Sequence, residues 1–349
     1  MKIDDLLNQS GEWLKGTGLD SDIVISSRVR LARNLSRFPF LTVATPSIRV
    51  EIEEFIKDRL KDKKIDKDIS YFSVDKLNQI DRHLLMERHL ISRELADDGK
   101  NAKGIAFSQD ETISIMVNEE DHLRMQVLRS GLQFESAWKE IDRIDSILEG
   151  SLNYAFSSQF GYLTCCPTNV GTGMRISIMV HLPALVFVKQ MDKVLQSLSR
   201  INYSVRGLFG EGTPGIGDYY QISNQITLGK SEGDIVQEMK NVIPQIIQFE
   251  RTWRYKLLED DRKRVEDRVW RAYGILRNAR SISTEETMDL LSAVRLGLNL
   301  KILNTITVDV INELFIFTQP SHLQRIKGRP LEPAERDAIR ADFLREKLK

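Results

Sequence analysis

The spacing of apolar positions along the chain changes several times, and each change predicts a strand giving way to a helix or the reverse. Residues 1–20 read as a short helix followed by a glycine-containing loop. In "DIVISSRVRLARNL" a strand begins at Ile23, Val24 and Ile25 and then turns arginine-rich. Residues 46–62 and 75–97 carry helical spacing. Ile113, Ile115 and Val117 alternate with other residues, as do Leu123, Met125 and Val127, which is a hairpin pattern with "NEEDH" at the bend. From Phe134 to Leu148 the period lengthens. Phe134, Ala137, Trp138, Ile141, Ile144 and Leu148 share one helical face.

The stretch "LTCCPTNVGTGMRISIMVH", residues 163–181, reads as strand, turn, strand. Pro183 suits the first turn of a helix marked by Leu185, Val188, Met191, Leu195 and Leu198. "INYSVRGLF" reads as another strand. "GEGTPGIGD" carries four glycines in nine residues, too flexible for a packed element, and "YYQISNQITLG" returns to strand. Beyond about residue 231 the pattern is helical and heavily charged. Ser283 with Glu286 three residues later has the form of a capping box, and Thr307 and Pro333 can each open a further helix. The expected architecture is α+β: an antiparallel sheet flanked by helices over residues 1–255, then an all-helical C-terminal domain over 256–349.

Composition narrows the function. A chain of 349 residues has room for two domains. Lys+Arg and Asp+Glu are both 50, which argues against direct nucleic-acid binding or an anionic membrane surface. The two cysteines, Cys165 and Cys166, are adjacent, so they form no ordinary staple and fit no zinc pattern. A reducing compartment is the simple reading, and the cytoplasm is the expected location. The N-terminus lacks the apolar run of a signal peptide. The longest apolar run, Ile176–Val188, is broken by His181 and Pro183 and is too short for a membrane span. No internal repeat, P-loop signature or kinase-type "HRD" or "DFG" set is present.

Candidate chemistry begins with arginines. Arg28, Arg30, Arg124, Arg175 and Arg206 come from four separated segments of strand character. Arg28 and Arg30 are two apart, so on an extended chain they face the same way. Single arginines of this kind are mostly solvated. Five on segments of one sheet could converge on a polyanion, because guanidinium forks match phosphate oxygens. Glu119, Glu120 and Asp121 share one bend, either as a solvated acidic turn or as carboxylates that accept a proton or bind a cation. Glu211 lies in the glycine-rich loop, which could close over a substrate.

Taken together, "SSRVRLARNL" (26–35), "VNEEDHLR" (117–124), "CPTNVGTGMR" (166–175), "VHLP" (180–183) and "VRGLFGEG" (205–212) resemble the phosphagen (guanidino) kinases in sequence and in order. The resemblance implies that ATP is bound by Ser26, Ser27, Arg28, Val29 and Arg30, by Arg124, and by Arg206 with Gly207. It implies the same for Arg175, Ile176, Ser177, Ile178 and Met179, with His181 and His89 as nucleotide-contacting histidines. Glu120 matches the carboxylate that grips the guanidinium and is the favoured base. Glu211 matches a second substrate carboxylate, and Cys166 the reactive cysteine beside the guanidinium. Cationic surroundings lower a thiol pKa, which would suit Cys166. Cys165, pointing the other way on an extended segment, is expected to be apolar and buried. Mg²⁺ is expected with the nucleotide, as in phosphoryl transfer generally, with no dedicated protein cage.

Only 25 residues precede Ser26, where small-molecule members carry a helical domain, and a helical domain is added at the C-terminus. Both features resemble the bacterial protein-arginine kinases of the McsB type. So does "AERDAIRADFLREKL", in which Arg336, Asp337, Arg340 and Ala341 match a phosphoarginine-binding motif. The resemblance implies protein substrates, control of a transcriptional repressor, an activator protein, and marking of proteins for a Clp-type protease in stress response and quality control. A homodimer or higher oligomer is expected. The competing readings are a small-molecule guanidino kinase and a non-catalytic phosphoarginine-binding adaptor.

Overall fold

The structure, a computed structural model, describes residues 2–61, 65–97, 102–207 and 215–349. Its strands are β1 (Val24–Arg33), β2 (Ser70–Ser73), β3 (Gly104–Phe107), β4 (Ile113–Val117), β5 (Leu123–Ser130), β6 (Phe156–Ser157), β7 (Gly161–Tyr162), β8 (Met174–His181), β9 (Tyr203–Gly207) and β10 (Tyr219–Asn224). Eight of them form one sheet in the order β2-β3-β4-β5-β1-β8-β10-β9, with every neighbouring pair antiparallel. β6 and β7 make a separate small hairpin.

The helices are α1 (Pro46–Arg59), α2 (Gln79–Glu87), α3 (Arg93–Asp97), α4 (Phe134–Glu149), α5 (Pro183–Phe187), α6 (Met191–Arg200), α7 (Glu232–Asp260), α8 (Arg262–Asn278), α9 (Thr284–Asn299), α10 (Val308–Phe317), α11 (Pro320–Lys327) and α12 (Pro333–Lys347). Among the described residues no helix is long and apolar enough to cross a membrane.

The sheet has two unlike faces. On one, Val29, Val127, Ile176, Ile178 and Ile222 pack against the Phe134–Leu148 stripe of α4 and against Ile235, Met239 and Ile243 of α7. Burial of these side chains, at roughly 1.5–3 kcal/mol each, fixes which face the alternating residues show to the other side. There, Leu128, Met179 and Tyr219 pack against Met288, Phe315, Ile316 and Phe317 of the C-terminal helices and against Trp13. The rest of that face carries the arginines and stays open as a cleft.

The α+β architecture and the 113–130 hairpin are as expected. Several local details differ. One helix was expected across 183–198; the chain makes two, α5 and α6, because Lys189 adopts φ +56° between them. In the 163–181 stretch only β8 is a long strand. The first arm enters a 3-10 turn at Pro167–Asn169 instead. Gly171 there has φ +111°, and a Cβ would meet Thr227 O at 2.3 Å, so the loop can pack this closely only with glycine. The 75–97 region divides into a 3-10 turn, α2 and α3, with His89 at φ +59° between the two helices. Ser283 accepts the Glu286 N–H at 3.1 Å, but the reciprocal half of a capping box is made at Ser231 and Asp234, at the start of α7. α7 runs through residue 255, and the chain turns at Asp261.

Candidate active site

Strand register brings the arginines together. Arg30 of β1 lies opposite Arg175 of β8, Arg28 lies opposite Ser177, and Gln221 of β10 pairs with Arg206 of β9. Arg124 stands on β5, on the other side of β1. All five line one cleft of about 1540 Å³, together with Glu119, Glu120, Cys166 and His89. Ordinary small-ligand pockets span roughly 300–1,000 Å³, so this one has space for more than a nucleotide.

Such a cluster is electrostatically expensive. Desolvation, followed by repulsion from Arg124, Arg175 and Arg206, lowers Arg28 to about 9. Arg30 is pushed well down by desolvation and then by Arg124, Arg28 and Arg175. Arg28 donates to Gln221 Oε1 at 2.9 Å, and Arg175 donates to Ser204 Oγ at 2.7 Å. Arg124 has a carboxylate partner, Glu119, at 2.6 Å. Burial lowers Arg124, but Glu119 outweighs it and holds the guanidinium above its ordinary value. Glu119 also accepts from Ser92 Oγ at 2.6 Å and from the Glu120 N–H at 3.0 Å. A site this rich in buried positive charge is built for an anion with several oxygens.

Beside the arginines lies a different chemistry. The Glu120 carboxylate and the Cys166 thiol line the same part of the cleft, and the thiol acts to lower the Glu120 pKa. Burial, then Glu119 and Asp121, raises the Glu120 pKa, which makes it a better proton acceptor than an exposed glutamate. Cys166 also meets Thr168 Oγ1 at 3.0 Å. Cys165 points elsewhere, and burial followed by Asp121 pushes its thiol up to about 12. His89 lines the cleft edge-on to Trp13, and burial with Arg28 nearby holds it neutral, at about 3.

The other residues anticipated from sequence are distributed as follows. Val29, Ile176 and Ile178 belong to the apolar core on the opposite face. Ser27 points there too, donating to Gly131 O at 2.7 Å. Ser26 is buried, Ser177 Oγ accepts from Ser223 Oγ at 2.9 Å, and Met179 packs under the C-terminal helices. Gly207 is the last residue of β9. His181 is fully buried away from the cleft: its Nε2 meets Ser292 Oγ at 2.9 Å and its ring stacks on Tyr219. His181 shares the Arg175 face of β8, but at the end of the strand α9, which carries Ser292, covers it. Glu211 lies outside the described residues.

The C-terminal motif splits. Arg336 lines the cleft. Arg340 is buried, donating to Thr318 O and Ile282 O at 2.8 Å each and to Asp337 at 2.6 Å, so these two side chains satisfy each other. Ala341 is in the helical core. Sequence reasoning missed Ser92, Gln221 and Asn34. Each is a common polar residue with no local pattern, and only tertiary contacts give it a place.

An antiparallel sheet presenting an arginine cradle beside a carboxylate–thiol pair defines a phosphotransferase that acts on a guanidino group. Comparisons with known proteins agree. Residues 51–253 match the ATP:guanido phosphotransferase C-terminal catalytic domain, and residues 262–349 match the protein-arginine kinase McsB C-terminal domain. The protein-arginine kinase of Halothermothrix orenii is 44% identical over 350 residues, covering 100% of this chain and 99% of its own. That of Brevibacillus brevis is 45% identical over 344 residues, covering 98% and 96%. Among solved structures, a lombricine kinase aligns with TM-score 0.58 and 27% identity over 68% of this chain and 69% of its own. The duplicated taurocyamine kinase of Schistosoma mansoni, with bound transition-state-analogue components, gives 0.60 and 29% over 66% of this chain and 33% of its own. The chain belongs to the ATP:guanido phosphotransferase family, in its protein-arginine kinase branch.

Proposed function

We propose that the protein transfers the γ-phosphoryl group of ATP to arginine side chains of proteins. The observation that carries this reading is the convergence of five arginines, Glu120 and Cys166 in one cleft of a chain that matches protein-arginine kinases over its whole length. The arginines would hold the triphosphate. Glu120 would orient the acceptor guanidinium and take its proton as nitrogen bonds to the γ-phosphorus and the bond to the ADP oxygen breaks. The Cys166 sulfur would face the same planar cation, and Glu211 is assigned as the second acceptor carboxylate. Catalysis in this scheme is alignment and charge stabilisation.

Among the described residues no group of three or more His, Cys, Asp or Glu side chains could hold a metal ion. A magnesium ion that arrives with the nucleotide would supply charge neutralisation of the phosphates. In this reading residues 1–255 form the catalytic part and 256–349 the helical part, where Arg336 with Asp337, Arg340 and Ala341 would recognise phosphoarginine. The protein would act in the cytoplasm as a homodimer or larger assembly.

The test is mass spectrometry of a protein incubated with enzyme and Mg·ATP and prepared without acid, which would cleave the P–N bond. Phosphoarginine is expected with a protein acceptor and little with free arginine; the reverse preference would select the small-molecule reading. Glu120→Gln is expected to lose about 10²–10⁴-fold in turnover while still binding ATP. In the parent, the rate should fall as pH drops through the raised Glu120 pKa, because the base must be ionised.

A further inference from the structure

Asn34 joins the two loops that carry Glu120 and Cys166. It follows the last residue of β1 and is 1% exposed. Its Oδ1 accepts the His122 N–H at 2.9 Å, and its Nδ2 donates to Asp121 Oδ1 at 2.5 Å and to Leu163 O at 3.1 Å. The same Asp121 Oδ1 accepts the Cys165 N–H at 2.7 Å. One side-chain amide and one carboxylate thus tie the residue after Glu120 to the residue before Cys166.

We propose that Asn34 is a positioning residue which, through Asp121, sets the spacing between Glu120 and Cys166 and so the way the acceptor guanidinium is held. The proposal rests on the phosphotransferase reading. Its physical basis is the donor inventory. At this position a side chain must donate to a carboxylate and to a carbonyl while accepting a backbone N–H, and a neutral amide does all three. Aspartate would keep the acceptor but set a second carboxylate against Asp121. The fold does not hang on this one residue. Leu35 N–H donates to His122 Nδ1 at 3.0 Å, and Arg33 donates to Thr172 O at 2.8 Å, so both loops have separate anchors to the end of β1.

The test compares Asn34→Asp, Asp121→Asn and the double swap, using the full chain. Turnover on a protein acceptor, ATP binding, thermal unfolding, and the rate of Cys166 alkylation by iodoacetamide, read by peptide mapping, are measured for each. Misplacing reacting groups by about 1 Å can cost about 10²-fold. Asn34→Asp is therefore expected to lose about 100-fold in kcat with ATP affinity within about twofold, and its Cys166 alkylation rate should shift by at least about fivefold. The swap restores an acid–amide pair across the gap but leaves Leu163 O without its donor, so it is expected to recover only part of kcat, to above the product of the two single changes.

Unchanged kcat and alkylation in a folded Asn34→Asp would overturn the proposal. So would a swap that folds and binds ATP but is no more active than the product of the two single changes. If Asn34→Asp does not fold, the swap decides alone: kcat above that of Asp121→Asn supports the proposal, and kcat no higher than that overturns it. Alkylation is read without turnover, so a failure of the kinase reading, visible in the parent, remains distinct from a failure here.

Discussion

Arg254 and Arg30 live in opposite electrostatic surroundings. Arg254 is buried against Glu250 at 2.8 Å, and its other donors reach Asp22 O and His181 O. Glu250 in turn accepts the Ala184 and Leu185 N–H groups at 3.1 and 3.0 Å. Arg33 with Asp145 and Arg88 with Glu111 repeat the pattern. Arg30 is half-buried, pushed down by desolvation and by Arg124, Arg28 and Arg175, with Glu119 acting in the opposite direction. The first group is finished: each cation meets its counter-charge inside the chain. The second is a concentration of like charge that an incoming polyanion would relieve. This difference separates structural arginines from ligand-binding ones more sharply than burial does.

The comparison can be broken by exchanging one member of each group. Arg30→Met is expected to lower kcat by about 10³-fold while thermal stability holds or rises, because a like-charge contact is removed. Loss of folding with retained specific activity would invalidate the distinction. Arg254→Met is expected to do the opposite, destabilising by about 3–5 kcal/mol in denaturant titration because it strands the buried Glu250. A smaller effect should sharpen the contrast. ATP at 100 times its Kd is expected to stabilise the parent by about 2.7 kcal/mol, and most of that gain should vanish in Arg28→Met.

The smallest predicted effect concerns the buried histidines. Burial lowers His181 well below its ordinary value, so the unfolded chain binds a proton there more readily than the folded one. Its contribution is complete above about pH 6.5 and is lost as pH falls, at a cost on the order of 1–2 kcal/mol by pH 5. His181→Gln should flatten the stability–pH curve by about one proton in that window.

Much of the site could be read from the chain. The alternation of Ile113–Val127 placed Glu120 at a hairpin bend, and the two-residue spacing of Arg28 and Arg30 put both on one sheet face. Register did the rest: pairing Arg30 with Arg175 and Arg206 with Gln221 depends on contacts between distant segments. His181 shows the limit of local reading. Its pattern position was correct, yet a helix more than a hundred residues away supplies Ser292 and buries it. Arg340 is similar, since helical spacing put it four residues from Arg336, but packing against Thr318 and Ile282 turned it into a clamp.

By itself, the sequence determined the strand and helix periods, the order of the chemical motifs and the absence of a P-loop, because these depend on neighbours a few residues apart. Tertiary structure alone decided which arginines converge on one cleft, which histidines are buried, and how Asn34 ties two loops together. The reason is that such contacts join segments separated by tens to hundreds of residues, and no local spacing encodes a distance across a folded sheet.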